Sequence, residues 1–360
     1  MKNINKILII IQRSNGDVFL SLSLIRYIYE HYNNIHIDLL INEDTALLAR
    51  LIPFVTNIHQ FSYFKKSENK WSQEKELVKK IYKKYDLSIN LTASDRSVLY
   101  ALISGRKTIS AIEESYIKSW WKKIFLSHYY YFDNSKHILL NNLESLNFLD
   151  IYHKQIQHPI QASKITIYDV KKKLKSMKIG KFFIFHPSAQ YNYKIYPKKL
   201  RNELISQLST LDVSILITGA KNQIDIDIKK ELNTFPNVFD LIGETSLEEY
   251  IALSELSLAY IGMDTLNMHI AAAQNKRIFA IFGPTKLSMW SPWSNQLKSA
   301  TKVNLPIQTY NNITIFQADM PCVACGEAGC NNSGISECLD NIKPKSIFTQ
   351  VEKWYRNDKL

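Results

Sequence analysis

Strand-like apolar runs alternate with amphipathic segments along this chain, and that alternation limits the fold more than any other feature. Runs at 7–12, 35–41 (IHIDLLI), 57–63, 86–91 (DLSINL) and 107–111 are separated by helical patterns, the first of which carries Val18, Leu22, Ile25 and Tyr29 on one stripe. The alternation restarts at 182–187 (FFIFHP) and continues through VSILITG, NVFDLIG, LSLAYIG and RIFAIFG. Repeated strand–helix–strand units build parallel sheets wrapped by helices. At 360 residues the chain exceeds one ordinary core, so two tandem Rossmann-like α/β domains are expected. The first domain is set at 1–155, a linker with a lead-in helix at 156–181, broken at Pro159, and the second domain at 182–340. Residues 341–360 carry Ile347, Val351 and Trp354 at helical spacing and read as a terminal helix.

With 46% hydrophobic and 22% charged residues, the composition is that of a soluble globular protein. No stretch approaches the roughly 18 unbroken apolar residues of a spanning helix. The opening MKNINK leads into an apolar run, but Gln12, Arg13, Asn15 and Asp17 interrupt it and no small-residue cleavage site follows. A signal peptide is therefore excluded and a cytoplasmic protein expected. Lys and Arg outnumber Asp and Glu by 45 to 33, so the partners expected are anionic: nucleic acid, phosphorylated sugars or an acidic membrane surface. Part of the excess is local, since residues 65–84 hold eight lysines and three glutamates, interleaved with Leu77, Val78 and Ile81 as on the polar face of a helix. SWWKKIFLSHYYYF (119–132) combines Trp, Tyr and Lys, residue types that favour bilayer interfaces. The same segment also reads as an aromatic helix buried against a sheet.

Ligands of open parallel sheets gather at the carboxyl ends of strands, where helix N-termini point free N–H groups at anions. SNGD at 14–17 lies at such an end; Gly16 permits a tight turn, and Asp17 is either a helix cap or a group poised for chemistry. In the second half, HPSAQYNYKIYP (186–197) supplies Ser188 and Lys194 before Pro197, which suits a helix start. GMDTLNMHIAAA (262–273) places Asp264, Thr265 and His269 in or beside the first turns of another helix, and FGPT (282–285) leaves a third strand. Together these describe a rim of N–H groups, hydroxyls and one lysine suited to a diphosphate. No G-x-x-x-x-G-K-[ST], G-x-G-x-x-G or G-x-S-x-G occurs, which disfavours phosphate-loop NTPases, dinucleotide oxidoreductases and serine hydrolases. Asp225-Ile226-Asp227 spells a D-x-D, but residues two apart on a helix do not share a face, so no metal site is assigned there. Cys322, Cys325, Cys330 and Cys338 fall within CVACGEAGCNNSGISEC. A structural zinc at these four is one reading, and unligated or redox-active thiols, which are preferred, are the others.

In order along the chain, SNGDVFLSLSLIRYI, DRSVLYALISGRKTISAI (95–112), HPSAQYNYKIYP, the DT..MHIAAA block, FGPT with W-S-P at 290–292 and the C-x-x-C tail resemble the heptosyltransferase family, glycosyltransferase family 9. The resemblance covers nearly the whole chain, and the tail running into ECLDNIKP is most similar to the second inner-core members of that family. It implies a GT-B fold, in which two Rossmann-like domains face each other across a cleft and the C-terminal helix crosses back to the first. It also implies inverting transfer of a heptose from ADP-heptose to the lipid A–Kdo or heptosyl-Kdo inner core of lipopolysaccharide. That reaction needs no catalytic metal or other cofactor and takes place at the cytoplasmic face of the inner membrane, with peripheral contact to anionic lipid and none to nucleic acid.

Carried over by position, Asp17 matches the general base, while Ser188 and Lys194 match a phosphate-binding pair in which Lys194 also neutralises the leaving group. Asp264, Thr265 and His269 match the donor-binding helix start, and Arg13 and Arg96 are assigned to the acceptor. Two positions depart from the family pattern: Leu266 stands where a glycine usually follows D-[ST], and Gln223 stands where a glutamate often meets the ribose. Beside this reading stand a GT-B transferase of UDP- or GDP-sugars and a non-catalytic binder of nucleic acid or anionic surfaces.

Overall fold

The computed structural model describes residues 4–114, 116–152 and 159–357. The chain divides into two compact units, Met1–His158 and Pro159–Leu360.

The first unit is built on a six-stranded sheet of order β3-β2-β1-β4-β5-β6, with β1 Lys6–Ile11, β2 His36–Asn42, β3 Val55–Phe61, β4 Tyr85–Asn90, β5 Gly105–Ile112 and β6 His128–Tyr131. Every pairing is parallel. Ile7 to Ile11 are all buried, as expected of a central strand covered on both faces, where the sequence reads as a continuous apolar run. The order reverses between β1 and β4, and at such a switch point the loops leaving the two strands diverge and open a crevice. Helices Tyr63–Ile81, Asp95–Ser104 and Tyr116–Phe125 follow β3, β4 and β5. They lie side by side: the Tyr100 hydroxyl donates to Glu74, and Trp121 packs with Leu102 against buried Val98 and Leu126.

At the opposite, amino end of this sheet one carboxylate is buried. Asp38 accepts from Asn57 Nδ2 at 3.0 Å and from the Tyr85 hydroxyl at 2.8 Å, with Lys6 Nζ at 3.4 Å and His59 Nε2 at 3.8 Å. Burial alone would raise its pKa, but the His59, Tyr85 and Asn57 hydrogen bonds and the Lys6 charge outweigh burial and hold it at about 2, below the ordinary 3.8. A group with a depressed folded-state pKa contributes stability that is present above its unfolded pKa and lost as pH falls through the folded one; for this shift that is on the order of 2 kcal/mol. Asp38→Asn is therefore expected to lower unfolding stability at pH 7, with the gap from wild type narrowing as pH falls from about 4 towards about 2. Urea unfolding at pH 7 and pH 3 checks this, and a gap of equal size at both would contradict it.

The second unit holds a seven-stranded sheet of order β12-β13-β11-β10-β7-β8-β9. Its strands are β7 Phe182–His186, β8 Ser214–Ile217, β9 Val238–Asp240, β10 Ala259–Met263, β11 Arg277–Ile281, β12 Ile307–Tyr310 and β13 Ile313–Phe316. All pairings are parallel except the β12–β13 hairpin. Its parallel strands repeat the order of the first unit, with the reversal between β7 and β10. Gly262 makes that pairing close: its φ is +153°, and a Cβ there would stand 2.3 Å from the His186 carbonyl oxygen.

Both sheets are the parallel α/β structure that the alternation predicts. Three strands were not read from the sequence. β6 lies inside the aromatic segment 119–132, which the structure splits into a helix ending at Phe125 and an edge strand starting at His128. β12 and β13 are joined through Asn311, whose φ of 49° suits a tight hairpin. Helix Lys164–Ser176, read with the linker, belongs to the second unit and packs along helix Leu247–Leu256. There Thr166 Oγ1 donates to Glu248 and Lys173 Nζ to the Glu244 carbonyl. The terminal helix Pro344–Asn357 buries Ile347, Val351 and Tyr355 in the second unit's core, and its Trp354 ring meets Phe183 and Phe279. Among the described residues no helix is long and apolar enough to cross a membrane.

Candidate active site

In the first unit the candidate residues leave β1. Ser14 takes the N-cap position of the short helix Asn15–Phe19 with an extended backbone, and Asp17 is its third residue. Asp17 is 5% exposed, and its oxygens accept from Ser14 Oγ at 2.7 Å and Arg13 Nη1 at 3.1 Å. The carboxylate is thus held by two side chains at a strand end, and the cap position belongs to Ser14. Arg13 is fixed in turn, its guanidinium 4.4 Å from the Phe132 ring just beyond β6. The neighbouring loops brace this one: the Gln12 amide donates to Thr92 Oγ1 after β4, and Asn42 Nδ2 at the end of β2 donates to the Arg13 carbonyl. Arg96 stands in the first turn of the helix after β4, stacked 3.9 Å from the Phe61 ring and donating to the Tyr63 hydroxyl at 2.5 Å. It therefore shares the carboxyl end of the sheet with Arg13 and Asp17, but its observed partners are those two aromatics on the β3 side.

In the second unit the groups gather at the β7/β10 switch point. Ser188, buried two residues past β7, lies 3.4 Å from His186 Nε2. Lys194 Nζ reaches Asp264 Oδ2, one residue past β10, at 3.1 Å. Burial of Lys194 works against its charge, but the Asp264 charge and hydrogen bond outweigh burial and raise its pKa above the ordinary lysine value. Thr265 is the N-cap residue of helix Leu266–Ala273, whose first residue, Leu266, is half-buried, and His269 is buried one turn on. Ser188 and Lys194, which follow β7, and Asp264 and Thr265, which follow β10, are therefore brought to the carboxyl ends of two adjacent strands, with the first backbone N–H groups of a helix beside Thr265.

Gln223 stands apart, at the exposed first turn of helix Gln223–Lys230 after β8, donating to Asp227 at 2.9 and 3.0 Å. The D-x-D does not converge. Asp225 is buried, bonded to Asn222, with Gly219 leaving the room its Oδ1 occupies, whereas Asp227 is solvent-exposed.

Two residues at this switch point were not singled out from the sequence. His186, the last residue of β7, lies 3.1 Å from Thr218 Oγ1, and the Asn267 amide nitrogen lies 3.0 Å from His186 Nδ1. Burial lowers the His186 pKa to about 4 against the opposing Asp225 charge and Thr218 hydrogen bond, so the ring is neutral near pH 7. The available signal was positional: a histidine ending a strand and an asparagine in the first turn of the helix after D-T.

The cysteine segment packs on the loop after β11, where the Gly326 amide donates to the Pro284 carbonyl at 2.7 Å. Cys338 is buried in the core; burial, and then the neighbouring Cys330, Cys325 and Cys322 thiols, push its pKa up to about 11. All four are free thiols, and among the described residues no group of three or more His, Cys, Asp or Glu has the geometry to hold a metal ion.

Comparison with known proteins decides the kinship. The profile of glycosyltransferase family 9 (heptosyltransferase) matches residues 75–314, about two thirds of the chain. The chain belongs to this family. The match takes in Ser188, Lys194, Gln223, Asp264, Thr265 and His269, while Asp17 and the cysteine segment lie outside it. The Escherichia coli lipopolysaccharide heptosyltransferase 3 is 25% identical over 292 residues, 79% of this chain and 85% of the relative. A Campylobacter jejuni lipooligosaccharide heptosyltransferase 2 is 27% identical over 136 residues, 37% of this chain and 36% of the relative. Among solved structures, the E. coli ADP-heptose lipopolysaccharide heptosyltransferase II superposes with a TM-score of 0.71 at 18% identity, covering 99% of this chain and 100% of that one. The E. coli heptosyltransferase WaaC with ADP gives 0.70 at 15% identity, covering 97% and 99%. The family 9 chain is thus a glycosyltransferase with the GT-B fold.

Proposed function

We propose that this glycosyltransferase moves a heptose from ADP-heptose to the inner core of lipopolysaccharide, by inversion and without a catalytic metal. The observation that carries the reading is the Lys194 ammonium, kept charged by Asp264 at the β7/β10 switch point beside Ser188 and a helix start. A departing nucleoside diphosphate needs fixed positive charge and N–H donors where its negative charge grows, and these groups supply both. The choice of heptose and ADP is supported by the names of the relatives: lipopolysaccharide heptosyltransferases, one solved with ADP and one described by ADP-heptose.

The acceptor hydroxyl attacks the anomeric carbon as the bond to the diphosphate oxygen breaks. Asp17 takes the hydroxyl proton, which makes a weak nucleophile effective. A single displacement of this kind inverts the anomeric configuration, because the acceptor enters opposite the leaving group. Arg13, stacked on Phe132 beside Asp17, orients an anionic acceptor, and Arg96 extends the same basic rim. Thr265 and His269 line the donor side, and Gln223 meets the ribose. An acceptor anchored in lipid places the enzyme's work at a membrane surface.

A thermal-shift comparison tests the donor, because a ligand stabilises only by binding the folded state, by about 2.7 kcal/mol at a hundredfold excess over Kd. ADP-heptose is expected to raise the melting temperature, and UDP-sugars, GDP-sugars and an oligonucleotide to leave it unchanged. An equal shift with a UDP- or GDP-sugar would reassign the donor, and a shift with the oligonucleotide alone would favour the non-catalytic reading.

A further inference from the structure

Helix Tyr116–Phe125 turns an apolar face outward. Ile117 is 84% exposed, Trp120 55%, Ile124 66% and Phe125 65%. Positions 117, 120 and 124 share one side of a helix, so these side chains form a continuous stripe. The inward side is settled by other residues: Ser119 and Leu126 are buried, and Trp121 packs on Val98 and Ile112. Lys122, 1% exposed, donates to the Ala93 carbonyl and pairs with Asp95 Oδ1, both at 2.8 Å. The helix is therefore pinned with its apolar side to solvent, and a large exposed apolar patch of this kind marks an interaction surface.

The surroundings say what would cover it. Helix Tyr63–Ile81 lies in the same layer, next to helix Asp95–Ser104, and over residues 75–84 its end and the turn after it expose Lys75, Lys79, Lys80, Lys83 and Lys84 beside one exposed acid, Glu76. Trp71 on that helix is 80% exposed, and Leu99 on the intervening helix 52%. Lys123 reaches over the Tyr131 ring at the patch margin, 5.3 Å from its centre. Apolar and tryptophan side chains among lysines match the two parts of an anionic bilayer surface, the acyl boundary and the charged headgroups.

We infer that this three-helix face of the first unit docks on an anionic lipid bilayer, with Ile117, Trp120, Ile124 and Phe125 inserted at the interface and the lysines of residues 75–84 set against the headgroups. The face is tied to the candidate base by adjacent residues: Thr92 accepts the Gln12 amide of the loop leading to Asp17, and Ala93 accepts Lys122 of the docking helix. Docking would thus hold the Asp17 loop close to the plane in which a lipid-anchored acceptor lies. The inference deepens the proposed function by naming its membrane surface, but its test reads binding and not transfer.

The full chain is to be floated with vesicles of phosphatidylcholine alone and of phosphatidylcholine with phosphatidylglycerol. Wild type is expected to bind the anionic vesicles, with an affinity that falls as salt rises, and to ignore the neutral ones. The pair Trp120→Glu with Ile124→Glu, and separately Lys79→Glu with Lys80→Glu, should each weaken binding at least about tenfold while melting as wild type does and keeping any shift with ADP-heptose. Should the first pair fail to fold, the lysine pair alone decides. Absence of wild-type binding, undiminished binding by the variants, or a wild-type dimer that the first pair dissociates would overturn the inference, the last by giving the face to a second copy of the chain. Vesicle binding without a shift on ADP-heptose would support the surface and remove the donor reading instead.

Discussion

Asp17→Asn is expected to fold and bind donor as wild type does, yet turn over about 100- to 10,000-fold more slowly, the usual contribution of a general base. Asparagine preserves the shape of the side chain: its Oδ1 can still accept from Arg13 Nη1, and its Nδ2 can donate to Ser14 Oγ, reversing that bond, at the two positions where the carboxylate oxygens are held. The change therefore removes the proton acceptor and little else. If Asp17 served only the helix, the substitution would be nearly silent, because asparagine serves helix starts about as well as aspartate. The geometry already weighs against that role, since Ser14 occupies the N-cap position and Asp17 sits three residues further on. Donor affinity should survive, because the diphosphate is assigned to the second unit. The measurement is kcat with melting temperature and donor Kd. A variant with normal melting, normal donor binding and near-normal turnover would leave Asp17 a structural residue.

Lys194→Ala is expected to slow transfer by about 100- to 1,000-fold, the scale found when one preorganised donor to a developing negative charge is lost. It should also weaken binding of ADP, and Lys194→Arg should restore part of both, since a cation would again face Asp264. EDTA should leave wild-type turnover unchanged. Strict dependence on Mg²⁺ or Mn²⁺ would contradict the assignment and return attention to Asp225 and Asp227, although one is buried and the other solvent-exposed. Full activity in Lys194→Ala would contradict it as directly.

The fold was legible because a parallel sheet covered on both faces demands apolar strands, and FFIFH, SILI, AYIGM and RIFAI announce themselves by that demand alone. Two of the three strands that escaped lack a fully buried pattern, His128–Tyr131 as an edge strand in a run of aromatics and Ile307–Tyr310 as a half-exposed hairpin arm, while the third, Ile313–Phe316, is buried throughout but only four residues long and includes a threonine. The strand ends bearing Ser188, Lys194, Asp264 and Thr265 could be placed because turn residues and hydroxyls stand directly after those runs. What the sequence could not supply was partnership. Nothing local says that Lys194 meets a carboxylate seventy residues on, or that Asn267 lies against His186 across the switch point. These contacts arise from strand order, which places β7 beside β10. The aromatic segment shows the same limit from another side, since its residue types left 119–132 open between a bilayer interface and an aromatic helix buried against a sheet, and only packing revealed that Trp121 turns inward and Trp120 outward.

Inverting, metal-independent transfer is tested most directly by the product of one reaction. Wild-type protein is to be incubated with ADP-heptose, an inner-core acceptor of lipid A–Kdo or heptosyl-Kdo and excess EDTA, and the anomeric configuration of the new linkage read by NMR. Transfer of a single heptose with configuration opposite to that in the donor is the result the account predicts, because one acceptor hydroxyl deprotonated by Asp17 displaces the diphosphate that Lys194 stabilises. Retained configuration, or no transfer until a divalent metal is restored, would contradict it.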